Sequence, residues 1–151
     1  MRLRYQRQDS KQTLAEGLAE YNEAFAGLIS LRYSTPDGER FFRSHDIVHV
    51  VFGCDISLDD EAVVKICSVF GTTGGFGVLR GYRLPEAKEG YGTLKFAEVV
   101  ATACRSCYLV PRAFVACRRM TSPWPWDEFH VWLDRPLCEI RDRFGVAVAH
   151  R

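Results

Sequence analysis

The chain has 151 residues, enough to bury a sizeable core and too few for two independent ones, so residues 1–151 read as a single domain. An apolar fraction of 47% beside a charged fraction of 26% is that of a folded globular protein and argues against disorder. Net charge is +1 with acids and bases interspersed, so no extended field draws polyanions and nucleic acid is not an expected partner.

The opening, MRLRYQRQDSKQ, is basic but no apolar run follows it, so neither a signal peptide nor a presequence is expected. With six cysteines and no secretory segment, the thiols should be reduced and the compartment a bacterial-type cytoplasm. From Thr13 to Leu28, apolar residues recur at Leu14, Leu18, Tyr21, Phe25 and Leu28, one stripe of a helix, and Thr13 with Glu16 resembles a capping box. Thr35, Pro36, Asp37 and Glu39 give a cap, a proline at the first position and acids near the positive dipole end. They predict a second helix running to about Phe52, with Gly53 as its stop. Ser57 caps a third, with Asp59, Asp60 and Glu61 in its first turn and an end near Gly71.

The longest uncharged stretch, Ile66 to Leu79, is shorter than a membrane span and is interrupted by threonines and glycines. Within it GTTGGFG, Gly71 to Gly77, does not match GxGxxG and follows no strand, so it reads as a turn before a short helix around Phe76 to Tyr82. The most apolar helix should run from Gly92 to about Leu109 and stop at Pro111, with a further helix over Arg112 to Met120. TSPWPWDEF breaks the pattern, and a last helix starts after Pro136 and ends at Gly145. With no strand alternation and no internal repeat, the expected fold is all-α, a single-domain helical bundle.

Chemistry concentrates in HDIVHVVFGCDISLDDE. At about 100° per residue on a helix, His45 and His49 lie about 40° apart and Asp46 about 60° beyond His49, all on one arc. If residues 53–57 fold the second and third helices into an antiparallel hairpin, Glu61 comes to face His49. Two imidazoles and two carboxylates suit a divalent ion, zinc first, and the same donors accept iron(II) or manganese. A bare HxxxH pair is more often an exposed helix face, and Asp46 with Glu61 is what lifts this one above that reading.

The spacing His45, Asp46, two residues, His49, eleven residues, Glu61 resembles the signature of the coenzyme Q (ubiquinone) biosynthesis protein 4 family. The likeness extends to TPDG before the metal helix, the turn near Gly74 to Phe76, and the ending with Trp132, Pro136, Leu137, Arg141 and Gly145. The loop CDISLDD departs from the glycine- and tyrosine-containing segments frequent there. The resemblance implies a helical fold, zinc on His45, Asp46, His49 and Glu61, and a pocket for an isoprenoid tail. It also implies a part in ubiquinone biosynthesis, where the ring C1 carboxylate of a prenylated hydroxybenzoate is replaced by hydroxyl. Aromatic or prenylated small molecules and other biosynthetic enzymes are then the implied partners, with peripheral contact at the inner membrane. Two alternatives stand beside this decarboxylating lyase: a non-catalytic isoprenoid-binding scaffold, and a relative acting on another aromatic or quinone-like intermediate.

Cys104 and Cys107 form a lone CxxC, weak as a ligand set and expected as small buried hydrophobes on the apolar helix. Trp124, Trp126 and Trp132 suit core packing as well as they suit gripping a ring or a bilayer surface. Arg80, Arg83 and Arg112 read as solvated surface. The apolar helix around Phe96, Val99, Val100 and Cys104, with the turn at Gly71 to Gly77, is the expected lining of a tail pocket at the metal.

Overall fold

A computed structural model describes residues 2–29, 35–83 and 96–148, with side chains described at 2–27, 35–83 and 104–148. Among these residues every regular element is helical. Extended pairing is limited to two isolated bridges, Thr13 with Pro136 and Thr72 with Trp124, so the all-α bundle expected from the sequence is what forms.

Helix α1, Leu14–Ala24, begins with the anticipated capping box: the Glu16 amide donates to Thr13 Oγ1 at 3.2 Å and the Thr13 amide to Glu16 Oε2 at 2.8 Å. It ends sooner than its stripe suggested. Phe25 leaves helical geometry at φ −122°, ψ 20°, its ring edge-on to Tyr21 at 5.1 Å, and a separate short helix α2, Ala26–Ile29, follows. The side chain of Leu28, the last residue of that stripe, lies outside the described residues.

Helix α3, Pro36–Phe52, starts as its caps require, with the Gly38 amide donating to Thr35 Oγ1 at 3.1 Å. Every residue from Ser44 to Phe52 is buried, which marks α3 as the central helix. It packs on α1 and on α4, Leu58–Phe70, and α4 in turn packs most extensively on α5, Phe96–Arg118. The last helix, α6, Leu137–Phe144, meets α3 and ends on Gly145 at φ 68°, a left-handed position that a side chain would strain.

The connection between α3 and α4 is short and pinned. Gly53 is left-handed at φ 70°, and its amide and that of Cys54 donate to the carbonyls of Val50 and His49 at the helix end. The Asp55 amide then donates to Asp60 Oδ2 at 2.7 Å, the Ser57 amide to Asp55 Oδ1 at 2.8 Å, and the Asp60 amide to the capping Ser57 Oγ at 3.4 Å. The acids of CDISLDD thus hold the hairpin turn.

Fully buried Arg141 fixes the end of α3. Its guanidinium donates to the carbonyls of Val51 and Val50, both at 2.8 Å, of Tyr5 at 2.6 Å, and of Arg7. Two of these belong to the last turn of α3, whose carbonyls have no partner within the helix, so a side chain 90 residues away closes that end. Burial lowers the Arg141 pKa to about 10. The apolar tail is buried too: Val146 and Val148 pack inward, and Gln8 bonds both the Val146 carbonyl and the Val148 amide.

Three further expectations need correction or a limit. Pro111 does not stop its helix; α5 runs through it to Arg118. The proline ring is exposed, and the buried stripe of Ala113 and Cys117 with partly buried Leu109 packs on α4 across it. Tertiary contact therefore outweighs a proline penalty of about 3 kcal/mol. The separate helix expected from Arg112 is this continuation, and its expected start at Gly92 lies outside the described residues. The short helix expected after the glycine turn forms, as a 3₁₀ helix over Gly75–Arg83. No helix among the described residues is long and apolar enough to cross a membrane.

Candidate metal centre

On α3, His45 and His49 stand one turn apart with ring centroids at 4.7 Å, and the pinned hairpin swings α4 back so that Glu61 faces both. Glu61 Oε2 is 3.6 Å from His45 Nε2, and Oε1 is 3.5 Å from His49 Nε2. Candidate ligand atoms from the three residues all lie within 4.8 Å of one another. The side chains are buried: relative exposure is 2% at His45, 0% at His49 and 7% at Glu61.

These distances discriminate between two arrangements. A charge-assisted hydrogen bond from imidazole to carboxylate would be about 2.7–2.9 Å. Ligands 2.0–2.1 Å from one tetrahedral ion are instead separated by about 3.4 Å. The observed 3.5 and 3.6 Å are too long for the first and close to the second. The hydrogen bonding agrees, because all four imidazole nitrogens of His45 and His49 are buried without a hydrogen-bond partner. Each buried polar group left so costs about 1–3 kcal/mol, and two of them sharing one pocket with a carboxylate fit an ion that accepts their lone pairs. His45, His49 and Glu61 therefore form a group that can hold a divalent metal.

Asp46, the fourth residue of the expected set, is fully buried but sits elsewhere around His45. Its Oδ1 is 3.6 Å from His45 Nδ1, the nitrogen directed away from Glu61, and 3.5 Å from the Tyr21 hydroxyl, which donates to it. It stands beside the converging group rather than within it. A carboxylate behind a metal-binding histidine is a recurring arrangement that sets the tautomer and the aim of the ring.

Aromatic rings enclose the histidines. Phe41 and Tyr82 lie 5.7 and 5.6 Å from the His45 ring, Phe42 at 6.2 Å, and Tyr21 lies 5.3 Å from His49. Burial among them lowers the His45 pKa, against the opposing pull of Asp46 and Glu61, so the neutral ligand form prevails at neutral pH. Phe41 reaches this position because Gly81 has no side chain; a Cβ there would fall 2.0 Å from the ring. None of these aromatics stood out in the sequence as a site residue, although Phe41 lies one turn before His45 on the same helical face.

The residues set aside also have places. Trp124 and Trp126 are buried and Trp132 half-buried; Trp124 packs on Phe144 at 5.1 Å and Trp126 on Phe41 at 5.9 Å, so they serve the core. Arg80, Arg83 and Arg112 are exposed as expected. Cys104 and Cys107 are exposed rather than buried, because they lie off the Leu109, Ala113 and Cys117 stripe that faces α4. The side chains of Phe96, Val99 and Val100, the expected tail lining, are outside the described residues. A cavity of about 210 Å³ lined by Asp60, Val63 and Cys67 of α4 opens about 100–160° around that helix from Glu61, on a different face.

The chain matches no family model, no curated protein and no solved structure.

Proposed function

We propose that this protein binds one divalent ion, zinc by its donor chemistry, and acts on a hydroxybenzoate or quinone-like ring, removing the C1 carboxylate. The observation that carries the metal is the buried convergence of His45, His49 and Glu61 with unpartnered imidazole nitrogens. The substrate class rests on the resemblance of the His45, Asp46, His49 and Glu61 spacing to the coenzyme Q biosynthesis protein 4 family. His45, His49 and Glu61 are the residues that would hold the ion, and three protein donors match the ligand count of catalytic zinc sites.

Bound there, the ion supplies Lewis acidity toward a ring or carboxylate oxygen. Asp46 places a negative charge 3.6 Å from His45 Nδ1, while Phe41 and Tyr82 keep water from the donors. A second reading, a metal-stabilised carrier of prenylated rings for other enzymes, is favoured by the burial of all three donors.

The test is incubation of the metal-loaded protein under air with a prenylated hydroxybenzoate and with the bare ring, measuring carbon dioxide and affinity. Release of carbon dioxide by the wild-type protein and not by Glu61→Ala supports the enzyme. Tight binding with no release across quinone-type compounds supports the carrier, and binding of none of them removes both readings. Each buried methylene is worth about 0.8 kcal/mol, so a prenylated ring should bind much more tightly than the bare one.

A further inference from the structure

The face of α4 turned toward α5 carries chemistry that the metal centre does not use. Cys67 on α4 and Cys117 near the end of α5 are both buried and free, and their sulfurs lie 3.7 Å apart. They are 50 residues apart in sequence, so the packing of the two helices creates the pair. We propose that Cys67 and Cys117 form a two-electron redox site, a dithiol that hydrogen peroxide converts to a disulfide joining α4 to α5.

Access, approach and proton inventory all support this. Cys67 lines the cavity of about 210 Å³, whose wall also includes Asp60 and exposed Arg112. A water occupies about 30 Å³ in the liquid, so a molecule as small as hydrogen peroxide has room beside the Cys67 sulfur. Closure from 3.7 Å to a bond of about 2.0 Å needs a movement of under 2 Å. Cys117 sits one residue before the end of its helix, where the backbone gives most readily. Gly71 opens the way, since a Cβ there would crowd the Cys117 sulfur at 3.1 Å. The thiols also share a proton: the Cys117 pKa is lowered because its thiolate can accept the Cys67 S–H, and that of Cys67 is raised by the same bond.

The chemistry balances with peroxide as the only added reagent. Starting with Cys117 ionised and its proton in solvent, Cys117 takes the Cys67 proton as the Cys67 sulfur attacks one peroxide oxygen. The O–O bond breaks, leaving a sulfenic acid on Cys67 and a hydroxide that regains the proton from Cys117 and departs as water. The Cys117 thiolate then attacks the Cys67 sulfur. The S–S bond forms, the S–O bond breaks, and the second hydroxide takes the solvent proton. Two thiols are oxidised by two electrons in total, and one peroxide is reduced to two waters.

Tryptic cleavage places the cysteines on separate peptides: Cys67 on 66–80, Cys117 on 113–118, Cys104 on 96–105 and Cys107 on 106–112. The full-length reduced protein is treated with a few equivalents of hydrogen peroxide, quenched with an alkylating agent, unfolded and mapped without reductant. The expected product has lost the mass of two hydrogens and contains 66–80 joined to 113–118. Cys117→Ser should instead leave a sulfenic acid on Cys67 that dimedone traps, and Cys104→Ser/Cys107→Ser should keep the cross-link. The proposal is overturned if Cys67 and Cys117 remain alkylatable in the treated wild-type protein, or if they oxidise separately to sulfinic acids without joining.

Discussion

Replacing His49 with alanine removes the donor held most firmly in place, for its ring is fully buried, 3.5 Å from Glu61 and against Tyr21. Two costs follow, and they can be separated. Truncating a buried ring leaves a void, and large-to-small changes in a core cost about 2–5 kcal/mol whether or not metal is present. Losing the ion removes its linkage to folding, about 2.7 kcal/mol when free metal stands at a hundred times the dissociation constant. For a chain of this length 1 kcal/mol moves the melting temperature by about 2–4 °C, so chelation of the wild-type protein should lower it by roughly 5–10 °C. The assay is thermal unfolding of wild type and His49→Ala, each with metal and with chelator. The chelator shift should be large in the first and absent in the second, with the void cost appearing as the difference between the two metal-free proteins. Elemental analysis should give about one divalent ion per wild-type chain and under a tenth in the variant, because one group of donors converges among the described residues. A chelator shift of equal size in both proteins would refute the assignment of His49 as a ligand.

Arg141→Met keeps the side-chain length but strips the donors from the carbonyls of Tyr5, Arg7, Val50 and Val51; at about 1–3 kcal/mol for each buried group left unbonded, a loss of at least 3 kcal/mol is expected. Urea unfolding measures it, and a midpoint equal to the wild type would show that the end of α3 does not depend on this clamp. In the metal-free protein, the lowered His45 pKa means that below about pH 6.5 the unfolded chain takes up a proton that the folded one refuses, so stability is full above that pH and falls as acid is added. Urea midpoints between pH 8 and pH 5 in chelator should decline in wild type and less steeply in His45→Gln; parallel slopes would place the proton uptake on other groups.

Local signals made the hairpin legible. The Thr35 cap with Pro36, the Gly53 stop and the Ser57 cap each act within a few residues, and each is found where the sequence puts it. Once both helix ends were fixed, the spacing from His49 to Glu61 was enough to set them face to face. What escaped depended on contacts distant in sequence. The clamp by Arg141 joins residues 90 and more apart, and nothing near Arg141 marks it as buried. Pro111 obeys its local rule only if nothing packs across it, and the contact of Ala113 and Cys117 with α4 overrides that rule. The cysteines show the same limit: the CxxC visible as a motif is exposed, while the pair in contact is spread over two helices.

Asp46 shows how a helix can place a residue correctly and still leave its role open. Rotation by 100° puts it on the arc of the histidines, and it is indeed buried beside them. A side chain adjacent in sequence to His45, however, reaches the near nitrogen of that ring, Nδ1, more readily than the space beyond Nε2 where Glu61 converges. Held also by the Tyr21 hydroxyl, the carboxylate is tied to α1. The His45 ring is thus carried by α3 and flanked, 3.6 Å from Nδ1, by a carboxylate that Tyr21 ties to α1. The hairpin supplies Glu61 from a third. The three donors converge from two helices, α3 and α4, and an ion held there would take up lone pairs of imidazole nitrogens that have no hydrogen-bond partner. A site built this way should select its ion by the fixed spacing of three donors more than by the chain closing around it.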